Sequence, residues 1–185
     1  MNKEKRKKGI RWPYLLLSVL LWSIVLGWMW IIFSLSSETG YESSNRSLKM
    51  LEFMKAQFGL DFSVFFLRKA AHFVEYAILT SFSFFAFVST ARISEKNPLI
   101  EIPVKEIKSS FQTNSMLSIW ITVLYAVFDE YHQIFVFGRN ADIIDVLIDI
   151  SGGVVVLLFF RLIIALVLLH KKRSERTDLL SNTED

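Results

Sequence analysis

Four long apolar segments alternate with polar stretches along the chain. They cover residues 12–33, 64–90, 115–137 and 142–169. Because a helix needs about 20 mainly apolar residues in a row to cross the hydrocarbon core of a bilayer, each segment is long enough to span a membrane. The pattern therefore predicts an all-α membrane protein, with a four-helix transmembrane bundle over residues 12–169.

The segments outside the four predicted spans differ in character. Residues 1–11 are basic, and residues 170–185 are rich in serine, threonine and charged residues, which is typical of a disordered tail. Between the first two spans, Leu51, Met54 and Phe58 recur at helical spacing among charged residues. This spacing favours a short amphipathic helix in the loop, which would lie on the membrane surface or cover the mouth of the bundle.

The distribution of lysine and arginine predicts how the bundle is oriented. The segment before the first span, the connector between the second and third spans and the segment after the fourth are the basic ones. These three share one side of the membrane if all four spans cross, and basic flanks favour the cytoplasm. Both termini are therefore expected to be cytoplasmic, with the first loop and the turn near Gly138 outside.

Composition narrows the classes of function. The chain is 52% apolar, carries a formal net charge of +3 and has no cysteine. The absence of cysteine excludes disulfides, thiol catalysis and cysteine-ligated metals. Because the basic patches abut apolar spans, they indicate membrane orientation and not a nucleic-acid partner.

Ionisable side chains within or beside the predicted spans are concentrated at one end of the bundle. Such residues are costly in a membrane, by about 2.5–3.5 kcal/mol each at a helix centre, and so indicate a functional site. They begin the second span, end the third and begin the fourth, and all three positions face outward in the predicted orientation. They are Arg68, Lys69, His72 and Glu75; Asp129, Glu130 and His132; and Arg139, Asp142, Asp145 and Asp149.

Helical spacing indicates which of these side chains share a face. The three stripes are Arg68, His72 and Glu75, with Tyr76 at the edge; Asp129, His132 and Gln133, with Glu130 about 100° away; and Asp142, Asp145 and Asp149, followed by Gly152 and Gly153. The small residues after the third stripe would let a neighbouring helix or a ligand approach closely. The stripes are therefore expected to meet in a polar pocket.

This group of residues admits three interpretations. The first is a structural network of ion pairs that locks the end of the bundle. The second is a catalytic centre, in which Glu75 or Glu130 is the general base alongside His72 and His132. If that centre holds a divalent metal, the candidate ligands are His72, His132 and Asp129. No sequence signature fixes such a metal, so the cofactor stays open.

The third interpretation, which we prefer, is recognition of a ligand at the outer leaflet. A lipid-linked precursor, a lipid head group or an amphiphilic drug would enter past the serine hydroxyls that close the first span. Arg68 and Arg139 would hold an anionic group, because a guanidinium matches phosphate and carboxylate oxygens. The predicted ligand-binding residues are Ser34, Ser36, Arg68, Tyr76, Asp129, Gln133, Arg139, Asp145 and Asp149.

Four pieces of the sequence resemble the VanZ-like family of integral membrane proteins. They are residues 33–37 (FSLSS), 68–76 (RKAAHFVEY) and 129–133 (DEYHQ), and then Gly138 and Arg139 followed by Asp145, Asp149 and Gly152. The resemblance implies a small multi-pass protein of the bacterial cytoplasmic membrane that acts in the cell envelope. The family's namesake is associated with resistance to the glycopeptide teicoplanin. The resemblance thus implies a resistance or housekeeping role, with a membrane lipid, a lipid-linked envelope precursor or a lipophilic glycopeptide as partner.

The chain departs from the family pattern at three positions. Phe137 stands where proline is common, Asp149 where asparagine is frequent, and Val156 where a second glycine is often seen. We therefore expect the turn before Arg139 and the packing of the fourth span to differ from those of relatives.

Overall fold

The protein is described by a computed structural model that covers residues 10–93 and 107–181, with side chains described for residues 10–93 and 110–174. The elements are α1 Trp12–Ser36, α2 Gly40–Phe58, α3 Val64–Ala91, α4 Ile107–Gln133 and α5 Ile143–Ser181. No strand is present in these residues, so the predicted all-α class is confirmed. α1, α3, α4 and α5 are long and apolar enough to cross a membrane, which confirms the four predicted spans.

The helix bounds differ from the predicted spans at two places. α4 ends at Gln133, before the predicted end at residue 137, and residues 134–138 form turns. α5 continues to Ser181, so residues 170–181 are helical where the sequence predicted a disordered tail. Leucine, lysine and arginine, which are frequent in residues 166–176, are good helix formers, which is consistent with the extension. Residues 1–9 and 182–185, also covered by predictions, lie outside the described residues.

α3 lies at the centre of the bundle and packs against α1, α2, α4 and α5. Its Tyr76 and Leu79 are completely buried and pack with Val25 of α1 in the core. Polar side chains also join the helices across this core. The hydroxyl oxygens of Thr80 on α3 and Thr122 on α4 lie 2.6 Å apart. One hydroxyl donates to the other, and the carbonyl oxygens of Tyr76 and Ser118 accept in the two helices at 2.8 and 3.1 Å. The buried pair therefore links α3 and α4 without leaving an unpaired polar group.

The order of the chain brings four helix ends together. α1 and α4 end where α3 and α5 begin, and we call this region the polar end. There the N–H of Gly40 donates to the carbonyl oxygen of Phe137 at 3.0 Å. Gly138 has a φ of +74°, and a Cβ on Gly40 would lie 2.7 Å from the carbonyl carbon of Gly138. Glycine at both positions permits the turn and the close approach of the two loops.

α2 is fixed at both of its ends. At its start, the Thr39 hydroxyl accepts from the N–H of Glu42 at 3.3 Å, and Glu42 Oε2 accepts from the N–H of Thr39 at 2.9 Å. This reciprocal capping box satisfies two donors that a helix N-terminus otherwise leaves free. At its end, Gly59 adopts a left-handed conformation with a φ of 66°, as is common at helix C-termini.

The apolar stripe predicted for α2 is only partly buried. Leu51 and Met54 are half-buried, whereas Phe58 is 67% exposed. The same face also carries Ser43 and Ser47, which are buried against the bundle. The sequence predicted that this helix lies either on the membrane surface or over the mouth of the bundle. In the structure it covers the mouth of the bundle.

Candidate functional site

A cavity of about 250 Å³ lies at the polar end, between α1, α2 and α3. It is lined by Ile32, Leu35, Ser36, Ser43, Arg46, Ser47, Met50, Leu67, Arg68, Ala71, His72, Glu75, Asp129 and Arg139. The structure therefore brings together six of the residues predicted from the sequence, which are Ser36, Arg68, His72, Glu75, Asp129 and Arg139.

Three arginines line this cavity. Arg46 on α2 forms an ion pair with Glu38 at 2.7 Å. Arg139 donates from Nε to the Glu38 carbonyl oxygen at 3.1 Å and from Nη2 to the Leu35 carbonyl oxygen at 3.2 Å. A cation at this position stabilises the free carbonyl groups at the end of α1. The guanidinium group of Arg68 makes no hydrogen bond or ion pair with any side chain or backbone group that the structure describes.

The three guanidinium groups are close enough to influence one another. Burial lowers the pKa of Arg139 below its ordinary value, and the positive charges of Arg68 and Arg46 lower it further. An arginine nevertheless stays protonated near neutral pH. Arg139 is therefore repelled by both neighbouring cations, and the carboxylates of Glu38 and Asp129 offset part of that repulsion.

His72 connects the cavity wall to the interior of the bundle. Its Nδ1 lies 3.4 Å from Oδ1 of Asp149 on α5. Asp149 is completely buried, and neither of its oxygens accepts a hydrogen bond from a described residue. Gly152 lets α5 approach α3 closely, because a Cβ at this position would lie 3.0 Å from the carbonyl carbon of Phe73. This approach places Asp149 directly behind His72.

A second pair joins the same two helices about one turn closer to the polar end. Lys69 on α3 forms an ion pair with Asp145 on α5. The two side chains are only 17% and 16% exposed, so the pair is largely shielded from solvent. Asp145, predicted to bind a ligand, is thus occupied by Lys69 and does not line the cavity.

Asp129, Glu130 and Gln133 form a buried group at the end of α4. Gln133 Nε2 donates to Asp129 Oδ2 and to Glu130 Oε1, both at 3.3 Å. Glu130 Oε2 accepts from the N–H of Asp142 at 2.8 Å, and Asp142 caps α5 by accepting from the N–H of Ile144 at 2.9 Å. Glu130 therefore positions the start of α5, and Asp129 is the member of the group that reaches the cavity.

Three other predicted site residues lie away from the cavity. The hydroxyl of Ser34 donates to the Trp30 carbonyl oxygen of its own helix at 2.8 Å, on the exposed side of α1. The ring of His132 packs against Phe33, with 4.6 Å between ring centroids. Tyr76 is completely buried in the core. Helical spacing placed these side chains near the polar stripes, but packing between helices turned them to other neighbours.

Sequence reasoning missed the contribution of α2. Ser43, Arg46, Ser47 and Met50 line the cavity, and none of them was among the predicted site residues. A signal was present in the spacing, because two serines four positions apart allow a helix to pack closely. Arg46 lies between those serines and so is carried to the cavity with them.

The candidate metal ligands do not converge. Within the described residues, no group of three or more His, Asp or Glu side chains could hold a metal ion. His72 faces Asp149, and the ring of His132 packs at a tilt against Phe33. The residues present therefore do not fit a metal centre.

The sequence model of the VanZ/LLP1 family matches residues 21–166, more than half of the chain. The chain belongs to the VanZ/LLP1 family. The resemblance noted in the sequence is thus confirmed, and the matched range includes every residue that lines the cavity. Four apolar helices identify this VanZ-like chain as a multi-pass membrane protein. No curated protein and no solved structure matches it.

Proposed function

We propose that this VanZ-like protein binds the anionic head group of a lipid-linked or amphiphilic molecule of the bacterial cell envelope. The proposal rests on Arg68, a half-buried cation that lines the cavity and has no partner among the described residues. A charge removed from water needs a partner of opposite sign. A guanidinium supplies paired donors that match phosphate or carboxylate oxygens.

The charge of the cavity supports an anionic ligand. Arg46, Arg68 and Arg139 line it, against the carboxylates of Glu75 and Asp129. Arg46 is already paired with Glu38, so Arg68 is the cavity cation whose charge has no partner among the described residues. A phosphate placed among the guanidinium groups would relieve their mutual repulsion.

The shape and size of the cavity support an amphiphile. One wall is apolar and consists of Ile32, Leu35, Met50, Leu67 and Ala71. The volume of about 250 Å³ is below the range of roughly 300–1,000 Å³ typical of pockets for drug-sized ligands. The cavity therefore suits a head group whose acyl chain stays outside, and favours a lipid or lipid-linked precursor over an enclosed glycopeptide.

The proposed position of the cavity is the outer leaflet of the bacterial cytoplasmic membrane, with both termini cytoplasmic. The support is the positive charge of the three segments on the opposite side of the bundle. In this position the protein would hold an outer-leaflet molecule, and a contribution to teicoplanin-type resistance would follow from holding it.

Binding is tested by calorimetry on the purified protein in detergent, with short-chain phosphatidic acid as the ligand. We expect Arg68→Gln to weaken binding at least about tenfold, because a hydrogen bond to a charged group contributes about 1.5–3 kcal/mol. Arg161→Gln, at an exposed arginine of α5, is the matched control and should bind like wild type. Equal binding of phosphatidylcholine with the same chains, or no loss in Arg68→Gln, would contradict the proposal.

The cellular role is tested by teicoplanin susceptibility. Cells that express the wild-type protein should be less susceptible than cells that express Arg68→Gln at the same membrane level. Equal susceptibility of these two strains would contradict a role in teicoplanin resistance. Head-group binding would then be judged by the calorimetry alone.

A further inference from the structure

His72 and Asp149 have the arrangement of a histidine oriented by a buried carboxylate. The His72 side chain is 17% exposed in the cavity wall, and its Nδ1 lies 3.4 Å from Oδ1 of Asp149. No described group donates a hydrogen bond to Asp149, which is completely buried. A buried carboxylate with no hydrogen bond is energetically costly, so its position beside His72 calls for an explanation beyond packing.

The pairing determines which nitrogen of His72 is available. A neutral histidine carries one N–H and one lone pair. With the carboxylate of Asp149 beside Nδ1, the proton is held on Nδ1 and the lone pair is left on Nε2. The two ring nitrogens point in different directions, so Nε2 is left for a group in the cavity. A carboxylate behind a histidine also stabilises the imidazolium that forms when Nε2 takes up a proton.

We propose that this protein hydrolyses a lipid phosphate monoester in the cavity, with His72 as the general base. This inference rests on the proposed binding of an anionic head group. His72 Nε2 removes a proton from water while the water oxygen bonds to phosphorus. The ester P–O bond opposite the water breaks, the leaving alkoxide takes a proton from solvent, and His72 releases its proton to solvent. The products are a lipid alcohol and inorganic phosphate.

The rest of the cavity supplies what this reaction needs. Phosphoryl transfer depends mainly on positioning and on cations that stabilise charge on the phosphoryl oxygens. Arg68 and Arg139 line the cavity together with His72 and provide those cations. Asp149 lies behind His72 and is a positioning residue. Gly152 permits this position, because it lets α5 lie against the backbone of Phe73.

The test uses the full-length protein in phosphatidylcholine nanodiscs that contain phosphatidic acid, and measures released inorganic phosphate. We expect His72→Gln to lower kcat roughly 100-fold or more, because general base catalysis contributes about 10²–10⁴-fold. His170→Gln, at an exposed histidine far along α5, is the matched control and should keep wild-type activity. In ¹⁸O-labelled water, the released phosphate should carry the label.

A second variant tests the positioning role of Asp149. Asp149→Asn keeps an oxygen beside Nδ1 but cannot stabilise the imidazolium by charge, so kcat should fall at least roughly tenfold with KM unchanged. Asp61→Asn, at an exposed aspartate, is the matched control. A folded Asp149→Asn with wild-type kcat would overturn this role, and His72→Gln tests the reaction if Asp149→Asn does not fold.

The outcomes separate this inference from the proposed function. Binding of phosphatidic acid without phosphate release would overturn hydrolysis and leave head-group binding intact, whereas no binding would overturn both. Activity that survives in His72→Gln would also overturn the inference. Release of phosphate from the soluble ester p-nitrophenyl phosphate, but not from phosphatidic acid, would exclude the lipid as substrate.

Discussion

Arg139 donates from Nε to the backbone carbonyl oxygen of Glu38 across 3.1 Å. This bond holds the turn after α4 against the loop that follows α1, although the two residues are far apart in the sequence. A second bond, from Nη2 to the Leu35 carbonyl oxygen at 3.2 Å, fixes the last turn of α1. Arg139 is therefore both a cation of the cavity and a tie between two helix ends.

Replacing Arg139 by lysine should destabilise the polar end. A lysine keeps the charge but lacks the planar group that reaches both carbonyl oxygens, so we expect the free energy of unfolding to fall by about 1.5–3 kcal/mol. Denaturant unfolding of the purified protein in mild detergent measures the change. Arg161→Lys, at an exposed position, is the control and should unfold like wild type. Identical unfolding of Arg139→Lys would show that the two bonds contribute nothing.

Gly40→Ala should destabilise the protein by forcing two loops apart. The added Cβ would lie 2.7 Å from the Gly138 carbonyl carbon, and this neighbour is backbone that cannot rotate away. We expect a loss of about 1–3 kcal/mol, as for other overpacked sites. Gly27→Ala is the matched control, because a Cβ at Gly27 meets nothing within 4 Å. Equal unfolding midpoints for the two variants would disprove the close approach.

The Thr80–Thr122 pair can be measured by a double-mutant cycle. Each single change to valine removes the contact at 2.6 Å but leaves the other hydroxyl its backbone carbonyl acceptor, and should cost about 0.5–1.5 kcal/mol. The double change removes both polar groups and keeps the shape, so its cost should be well below the sum of the singles. Strictly additive free energies of unfolding would mean that the two hydroxyls do not interact.

The N-terminus of α2 should lose protection in acid. The hydrogen bonds from Thr39 lower the pKa of Glu42 below its ordinary value of 4.5. A lowered pKa in the folded state stabilises the cap above about pH 4.5, and this contribution is lost as the pH falls through the folded-state value. Hydrogen exchange of the first turn of α2 should therefore show acid-dependent opening in wild type and much less pH dependence in Glu42→Gln. Glu52→Gln, on the same helix, should behave like wild type.

The proposed orientation can be tested with single cysteines, because the chain has none of its own. Tyr41 is 81% exposed at the start of α2, and Lys172 is exposed near the end of α5. A membrane-impermeant maleimide added to intact cells should label Tyr41→Cys and not Lys172→Cys. The opposite labelling pattern would place the cavity on the cytoplasmic side.

The four spans were predictable because crossing a bilayer imposes a strong demand on composition over about 20 residues. The predicted starts at Trp12 and Val64 coincide with the observed helix starts. The gathering of polar residues at one end also followed from the sequence, since the order of spans alternates their directions. Each of these features depends on the composition and order of the segments along the chain, so the sequence was sufficient to predict them.

The partners of individual side chains were not predictable in the same way. Asp145 and Asp149 lie on one stripe, yet Asp145 meets Lys69 and Asp149 meets His72. Which residues meet depends on how far α5 is rotated and how closely Gly152 lets it approach α3, and these are properties of helix packing. The buried serines of α2 were not predicted for another reason. The periodicity of apolar residues, which identifies buried helix faces, does not detect small polar residues.

The pairing of α3 with α5 has a consequence for biosynthesis. Lys69 and His72 are on α3, but Asp145 and Asp149 are on α5, which is synthesised after α3 and α4. Until that helix inserts, the nascent chain carries an ammonium group without its counter-charge at the membrane boundary, which is costly. Insertion of α5 is therefore the step that supplies this counter-charge, and a chain interrupted before residue 143 would carry an unpaired lysine at the membrane boundary.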